Sequence, residues 1–179
     1  MKEPIELLLA DDHAGFRAGF HAALANVDGI TIVADAVDGQ EAVRLAEELQ
    51  PDVVVMDLQM PRLDGIEAPR QLLQGSPHVG VLVLTMFDDD ESVFLAMRAG
   101  ARGYLVKGAP RDEIVRAIEA VAAGEAILGP AIARRVQDYL NDATGPSDQR
   151  PAIAEKSFPG LTQRERDVLE LMAAGRNNS

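Results

Sequence analysis

The sequence predicts an α/β domain over residues 1–124, in which a five-stranded parallel sheet lies between layers of helices. Short apolar runs alternate with amphipathic stretches of ten or so residues, and Gly39, Gly75, Gly100 and Gly124 stand near the joints. Four of the runs also end on reactive polar residues: LLLADD at Asp11 and Asp12, VVVMD at Asp57, VLVLT at Thr85 and GYLVK at Lys107. In parallel strands those ends share one edge of the sheet, where open α/β folds place their ligands. Three carboxylates, a hydroxyl and an ammonium gathered there suit a hard cation and a phosphoryl group better than a core, because carboxylates are rarely buried without a partner.

Taken in order, residues 5–10 form the first strand and 14–26 the helix that returns to begin the second, 30–36. Residues 38–48 are helical by spacing and lead to the strand at 53–56, which is followed by a helix around 66–74. Strand 79–85 precedes helix 91–99, and strand 103–106 precedes helix 111–123. Each crossover is expected to be right-handed. Pro69 would be the fifth residue of a helix beginning at Gly65, where it removes a donor and presses on the preceding turn. A kink, or a start nearer Pro69, is the physical expectation.

After Gly124 the alternation stops. Pro130 suits the first turn of a short helix reaching about Asn141, and DATGPSDQRPAIAEKS is polar and rich in turn formers, so residues 125–156 read as a linker containing a short helix. Residues 161–174 again have helical spacing, with Thr162 as N-cap and Glu165 completing a capping box. Its apolar face carries Val168, Leu169 and Met172.

Composition removes several classes of function. The chain has 179 residues and no cysteine, so disulfides, zinc thiolates and a cysteine nucleophile are excluded. Its first apolar run is too short for a signal peptide or a membrane span, so a cytoplasmic protein without a membrane partner is expected. The net charge of −12 resides in residues 1–125, while the remaining residues carry equal numbers of acids and bases. The acidic part is therefore a poor ligand for nucleic acid, and any DNA contact falls to the tail. No G-x-x-x-x-G-K-[ST] loop is present for a nucleotide switch. The adjacent Asp11 and Asp12 also lack the D-x-D spacing of an aspartate-nucleophile phosphatase.

The pair Asp11-Asp12, the run Asp57-x-x-Met60-Pro61-x-x-Asp64-Gly65, Thr85, and Tyr104-x-x-Lys107 together resemble the receiver domain of bacterial two-component response regulators. From Leu161 to Asn178, LTxRExxVLxLxAxGxxN is similar to the start of a LuxR-type helix-turn-helix, so residues 157–179 resemble the beginning of that DNA-binding domain. The combination resembles the NarL/FixJ class of transcriptional regulators.

This resemblance implies a flavodoxin-like fold with strand order 2-1-3-4-5. It implies that Asp57 accepts a phosphoryl group from a sensor histidine kinase, with Mg2+ held by Asp11, Asp12, Asp57 and the backbone carbonyl of Gln59. Thr85 and Lys107 would stabilise the phosphoryl oxygens, and Thr85 would be coupled to Tyr104 as a switch. Each residue also has a plainer reading, Asp57 as a turn or cap residue, Thr85 as a strand residue and Tyr104 as core packing, but independent caps have no reason to share an edge with a lysine. His13 reads as a loop residue, and His21 and His78 as surface residues. Such a protein is a phosphoacceptor switch that catalyses only its own phosphorylation and dephosphorylation. The receiver would provide a homodimer face. Promoter DNA would be a partner only of a longer parent protein, since no complete DNA-binding set occurs in this sequence, which reads as a shortened form of a larger regulator. The alternative is a stand-alone receiver acting as a phosphate sink or partner-binding module without DNA output.

Overall fold

The structure, a computed structural model, describes residues 3–62, 67–86, 95–130 and 132–134. The acidic run at 88–91, the Asp64-Gly65 end of the Asp57 motif, most of the expected linker and the expected tail helix lie outside these residues. The chain divides into two compact units, Met1–Gly129 and Pro130–Ser179. The elements below all belong to the first.

Strands β1 (Ile5–Ala10), β2 (Ile30–Ala36), β3 (Val53–Met56), β4 (Gly80–Thr85), β5 (Gly103–Val106) and β6 (Ile127–Leu128) form one sheet in the order β2-β1-β3-β4-β5-β6. Every pairing is parallel. Helices α1 (Ala14–Leu24), α2 (Gly39–Leu49), α3 (Glu67–Gly75) and α4 (Arg111–Ala122) follow β1, β2, β3 and β5, and residues 95–98 are helical between β4 and β5. The order of the first five strands is the expected one. The expectation of five strands is corrected to six, because β6 continues the edge: the Ile127 N–H donates to the Arg102 carbonyl at 2.8 Å and the Gly129 N–H to the Tyr104 carbonyl at 3.0 Å. Two residues are too few to carry a strand's alternation in sequence, so pairing with β5 alone defines this strand.

Helices cover both faces, so the central strands are apolar throughout. Leu7, Leu8, Leu9 and Ala10 of β1 are fully buried, as are all four residues of β3. On one face Leu7, Leu9, Val53, Val55, Leu82, Leu84 and Leu105 pack against Phe20 and Leu24 of α1 and Ala117, Ile118 and Val121 of α4. Close approach of α4 depends on missing side chains. A Cβ at Gly80 would lie 2.5 Å from Val121 Cγ1 and 3.0 Å from its carbonyl oxygen, and one at Gly103 would lie 2.6 Å from Leu82 Cδ1.

Helix ends follow local chemistry. The Asp38 carboxylate caps α2 by accepting from the Glu41 N–H at 2.9 Å, and the Glu41 carboxylate in turn accepts from the Val37 N–H. At the other end Gln50 takes the left-handed conformation, and its side-chain amide donates to the carbonyls of Ala46 and Glu47 and to Ser76 Oγ. The described part of α3 runs from Glu67 to Gly75, and Pro69 within it is buried. Among the described residues no helix is long and apolar enough to cross a membrane.

Candidate functional site

The strand ends bring Asp11, Asp57 and Lys107 together. The Asp11 N–H donates to the Ala36 carbonyl at 3.0 Å and the Asp57 N–H to the Ala10 carbonyl at 2.9 Å, so the sheet ladder itself sets the spacing of the two acids. Lys107, just past β5, reaches back over the edge. Its Nζ stands 2.6 Å from Asp57 Oδ2 and 2.5 Å from Asp11 Oδ2. Its side chain is 8% exposed, those of the two acids 1% and 6%, so the triad is nearly dry and its charges interact strongly.

Lys107 donates a hydrogen bond to Asp57 Oδ2 and is paired on its other side with Asp11 Oδ2, so one ammonium is shared between two buried carboxylates. Burial of Lys107 lowers its pKa, but the carboxylates of Asp11 and Asp57 outweigh this together and hold the pKa above its ordinary value. Beneath the ammonium, 4.3 Å away, is the centre of the Phe16 ring, a cation–π contact.

Asp12 is on the exposed rim of the same loop, and its Oδ1 is 2.8 Å from His13 Nδ1. His13 occupies the N-cap position of α1, and its main-chain N–H donates to Asp11 Oδ1 at 2.8 Å. Gln59 follows β3, with its N–H 3.3 Å from Asp57 Oδ1. Thr85 ends β4 and pairs in register with Val106, the residue before Lys107, which puts its backbone at the same edge. Tyr104, in the interior of β5, is fully buried.

Sequence reasoning had missed several supporting residues. The Arg17 guanidinium donates to the Asp11 carbonyl at 2.6 Å and stands 3.6 Å from Asp35 Oδ2, linking the site loop to β2. His21 joins the same carboxylate at 2.9 Å. Arg62, in a left-handed conformation, pairs with buried Asp38 at 3.1 Å. Phe16 and Arg17 follow His13 by three and four residues, the spacing that puts side chains of a first helical turn over its N-terminus. That was the available signal.

The donor set fits a hard divalent cation. Asp11, Asp12 and His13 each offer an atom within 4.8 Å of the others, and a single ammonium faces two buried acids, a surplus of negative charge that a cation offsets.

Residues 7–119 match the response regulator receiver domain family, and the chain belongs to it. It is 36% identical to the transcriptional regulatory protein DegU of Brevibacillus brevis, over 97% of this chain and 77% of that protein. It is equally similar, at 36%, to the oxygen regulatory protein NreC of Staphylococcus aureus, over 97% of this chain and 79% of the relative. A crystal structure of a LuxR-family two-component response regulator from an Aurantimonas species superposes with a TM-score of 0.74 at 37% identity, covering 77% of this chain and 99% of that one.

Proposed function

We propose that this chain is a cytoplasmic phosphoacceptor switch in which Asp57 receives a phosphoryl group from a sensor histidine kinase and the altered receiver surface controls transcription. The observation that carries the reading is the triad itself, in which Lys107 Nζ lies 2.6 Å from Asp57 Oδ2 and 2.5 Å from Asp11 Oδ2 at the carboxyl edge of a receiver sheet. A structural ion pair needs one acid for one lysine. Two buried acids on a single ammonium leave a surplus negative charge, suited to a cation.

In the reaction, an Asp57 carboxylate oxygen attacks phosphorus; the new bond is P–O and the bond broken is P–N to the kinase imidazole, which leaves with the electron pair and takes a proton. Asp11, Asp12, Asp57 and the Gln59 carbonyl would hold Mg2+. When bound, the ion supplies charge neutralisation and alignment of the phosphoryl oxygens. Lys107 follows the charge from the Asp57 carboxylate to a phosphoryl oxygen, and the Asp11 contact keeps the ammonium over the site during that move. The Thr85 hydroxyl donates to another phosphoryl oxygen, and its displacement is felt at Tyr104, two residues before Val106 on the neighbouring strand. The output is a change in the face made by β5, α4 and helical residues 95–98. That change alters self-association and, through a LuxR-type DNA-binding domain, promoter occupancy.

The test is incubation with Mg2+ and acetyl phosphate followed by intact mass. One phosphoryl adduct is expected on the native chain and none on Asp57→Asn; an undiminished adduct on the variant would remove Asp57 from its role.

A further inference from the structure

We propose that Arg17 is a positioning residue for the phosphoacceptor site: it grips the Asp11 carbonyl and Asp35 of β2 at once, fixing the peptide group that joins Asp11 to Asp12 and so the stance of both acids. The role rests on the receiver chemistry of the proposed function and adds what holds its acidic loop in place.

The last residue of β1 paired with β2 is Ala10, opposite Ala36, so the sheet ladder reaches only one side of Asp11. Its N–H donates to the Ala36 carbonyl at 3.0 Å. Its carbonyl, beyond the paired stretch, accepts instead from Arg17 Nη1 at 2.6 Å. The same guanidinium places its Nε 3.6 Å from Asp35 Oδ2, and Asp35 directly precedes Ala36 on β2. Both main-chain polar groups of Asp11 are therefore tied to neighbouring residues of one strand, the N–H directly and the carbonyl through Arg17.

Arginine suits this task. Its planar fork holds several donors in fixed relation and spans two acceptors, and a charged donor makes a stronger hydrogen bond than a neutral one. The side chain is 16% exposed, so its contacts are little screened by water. Its starting point is set by the first turn of α1, where the Arg17 N–H donates to the His13 carbonyl at 3.1 Å. Asp35 is steadied from its other side by His21 Nε2 at 2.9 Å from Oδ1. An ion pair that only docked α1 on β2 would need Asp35 alone, and it is the contact with the Asp11 carbonyl that carries the grip into the site.

The experiment titrates the full chain with Mg2+ by calorimetry and follows the rate of adduct formation from acetyl phosphate across a Mg2+ series, at a temperature where circular dichroism shows each variant folded. A shortage of folded molecules lowers the amplitude without moving the half-saturating Mg2+ concentration, whereas a displaced loop moves it. In Arg17→Gln the Mg2+ Kd and the half-saturating concentration are expected to rise about tenfold. They should stay raised in Arg17→Lys, whose single nitrogen keeps the charge but cannot span both acceptors. The exposed control Arg44→Gln should remain within about twofold of the native chain. Asp35→Asn should shift the values in the same direction and add nothing in the Arg17→Gln background. Native values in Arg17→Gln, full recovery in Arg17→Lys, or additive losses from Asp35→Asn would each overturn the two-point grip and leave the phosphoacceptor site standing. A native chain that binds no Mg2+ and forms no adduct would overturn the receiver chemistry, and the role of Arg17 with it.

Discussion

At Lys107 a single side chain balances two acids, and its removal tests that balance. Lys107→Gln leaves Asp11 and Asp57 facing each other in a nearly dry pocket, and breaking a buried pair in this way costs about 3–5 kcal/mol. A divalent cation should restore much of the loss, so the Mg2+-induced rise in Tm is expected to be larger in Lys107→Gln than in the native chain. Equal rises would show that the carboxylates do not share an ion. The lysine also sets an alkaline limit. Because its pKa in the folded chain lies above the ordinary 10.5, its contribution to stability is complete below that value and is lost as pH rises through the higher folded value. Denaturant titrations from pH 9 upwards should show this loss in the native chain and its absence from Lys107→Gln.

Among the elements, α4 depends on glycines and α1 does not. Gly80→Ala puts a methyl 2.5 Å from Val121 Cγ1 and 3.0 Å from backbone, so the helix must shift, at about 1–3 kcal/mol. Gly19→Ala, within α1 and with nothing inside 4 Å of the new carbon, should stabilise by about 0.5–1 kcal/mol. Urea midpoints of the two variants moving in the same direction would contradict the packing argument.

The same contrast shows what was legible beforehand. Strands β1 and β3 could be read because burial on both faces makes them continuous apolar runs, and Asp11, Asp57 and Lys107 because each directly follows such a run. β6 could not be read, since its two residues are a strand only by pairing with Gly103 and Tyr104. Nor could the place of Phe16 beneath Lys107 or of Arg17 on the Asp11 carbonyl, because these contacts depend on how α1 lies over the loop, which periodicity does not specify. The spacing of His13 from the acids was printed in the sequence, but only the loop conformation turns adjacency into a 2.8 Å contact.

For the whole molecule, charge and ligand binding set the behaviour. Saturating Mg2+ should stabilise the fold by about 2.7 kcal/mol at a hundred times its Kd, and Asp12→Asn should lower that gain at fixed Mg2+ concentration; thermal melts across a Mg2+ series check both. The net charge of −12, carried by residues 1–125, makes that part of the chain repel DNA at low salt. On the proposed function, phosphorylation is therefore expected to be read through packing. With beryllofluoride as phosphate mimic, hydrogen exchange should change on β5 and α4, and Thr85→Ala should weaken the change while Asp57 still accepts a phosphoryl group. An identical response in Thr85→Ala would dissociate Thr85 from Tyr104.

The buried oxygen of Asp11 has a consequence for how such a protein drifts under selection. Two acids and one ammonium are a poor way to fill the top of a sheet, and replacing buried charge networks with apolar side chains of similar volume often leaves a protein equally or more stable. A library of this chain screened only for survival of heating should accordingly enrich leucine and methionine at positions 11, 57 and 107. Heat-resistant descendants would be mute: well folded, abundant and deaf to their kinase.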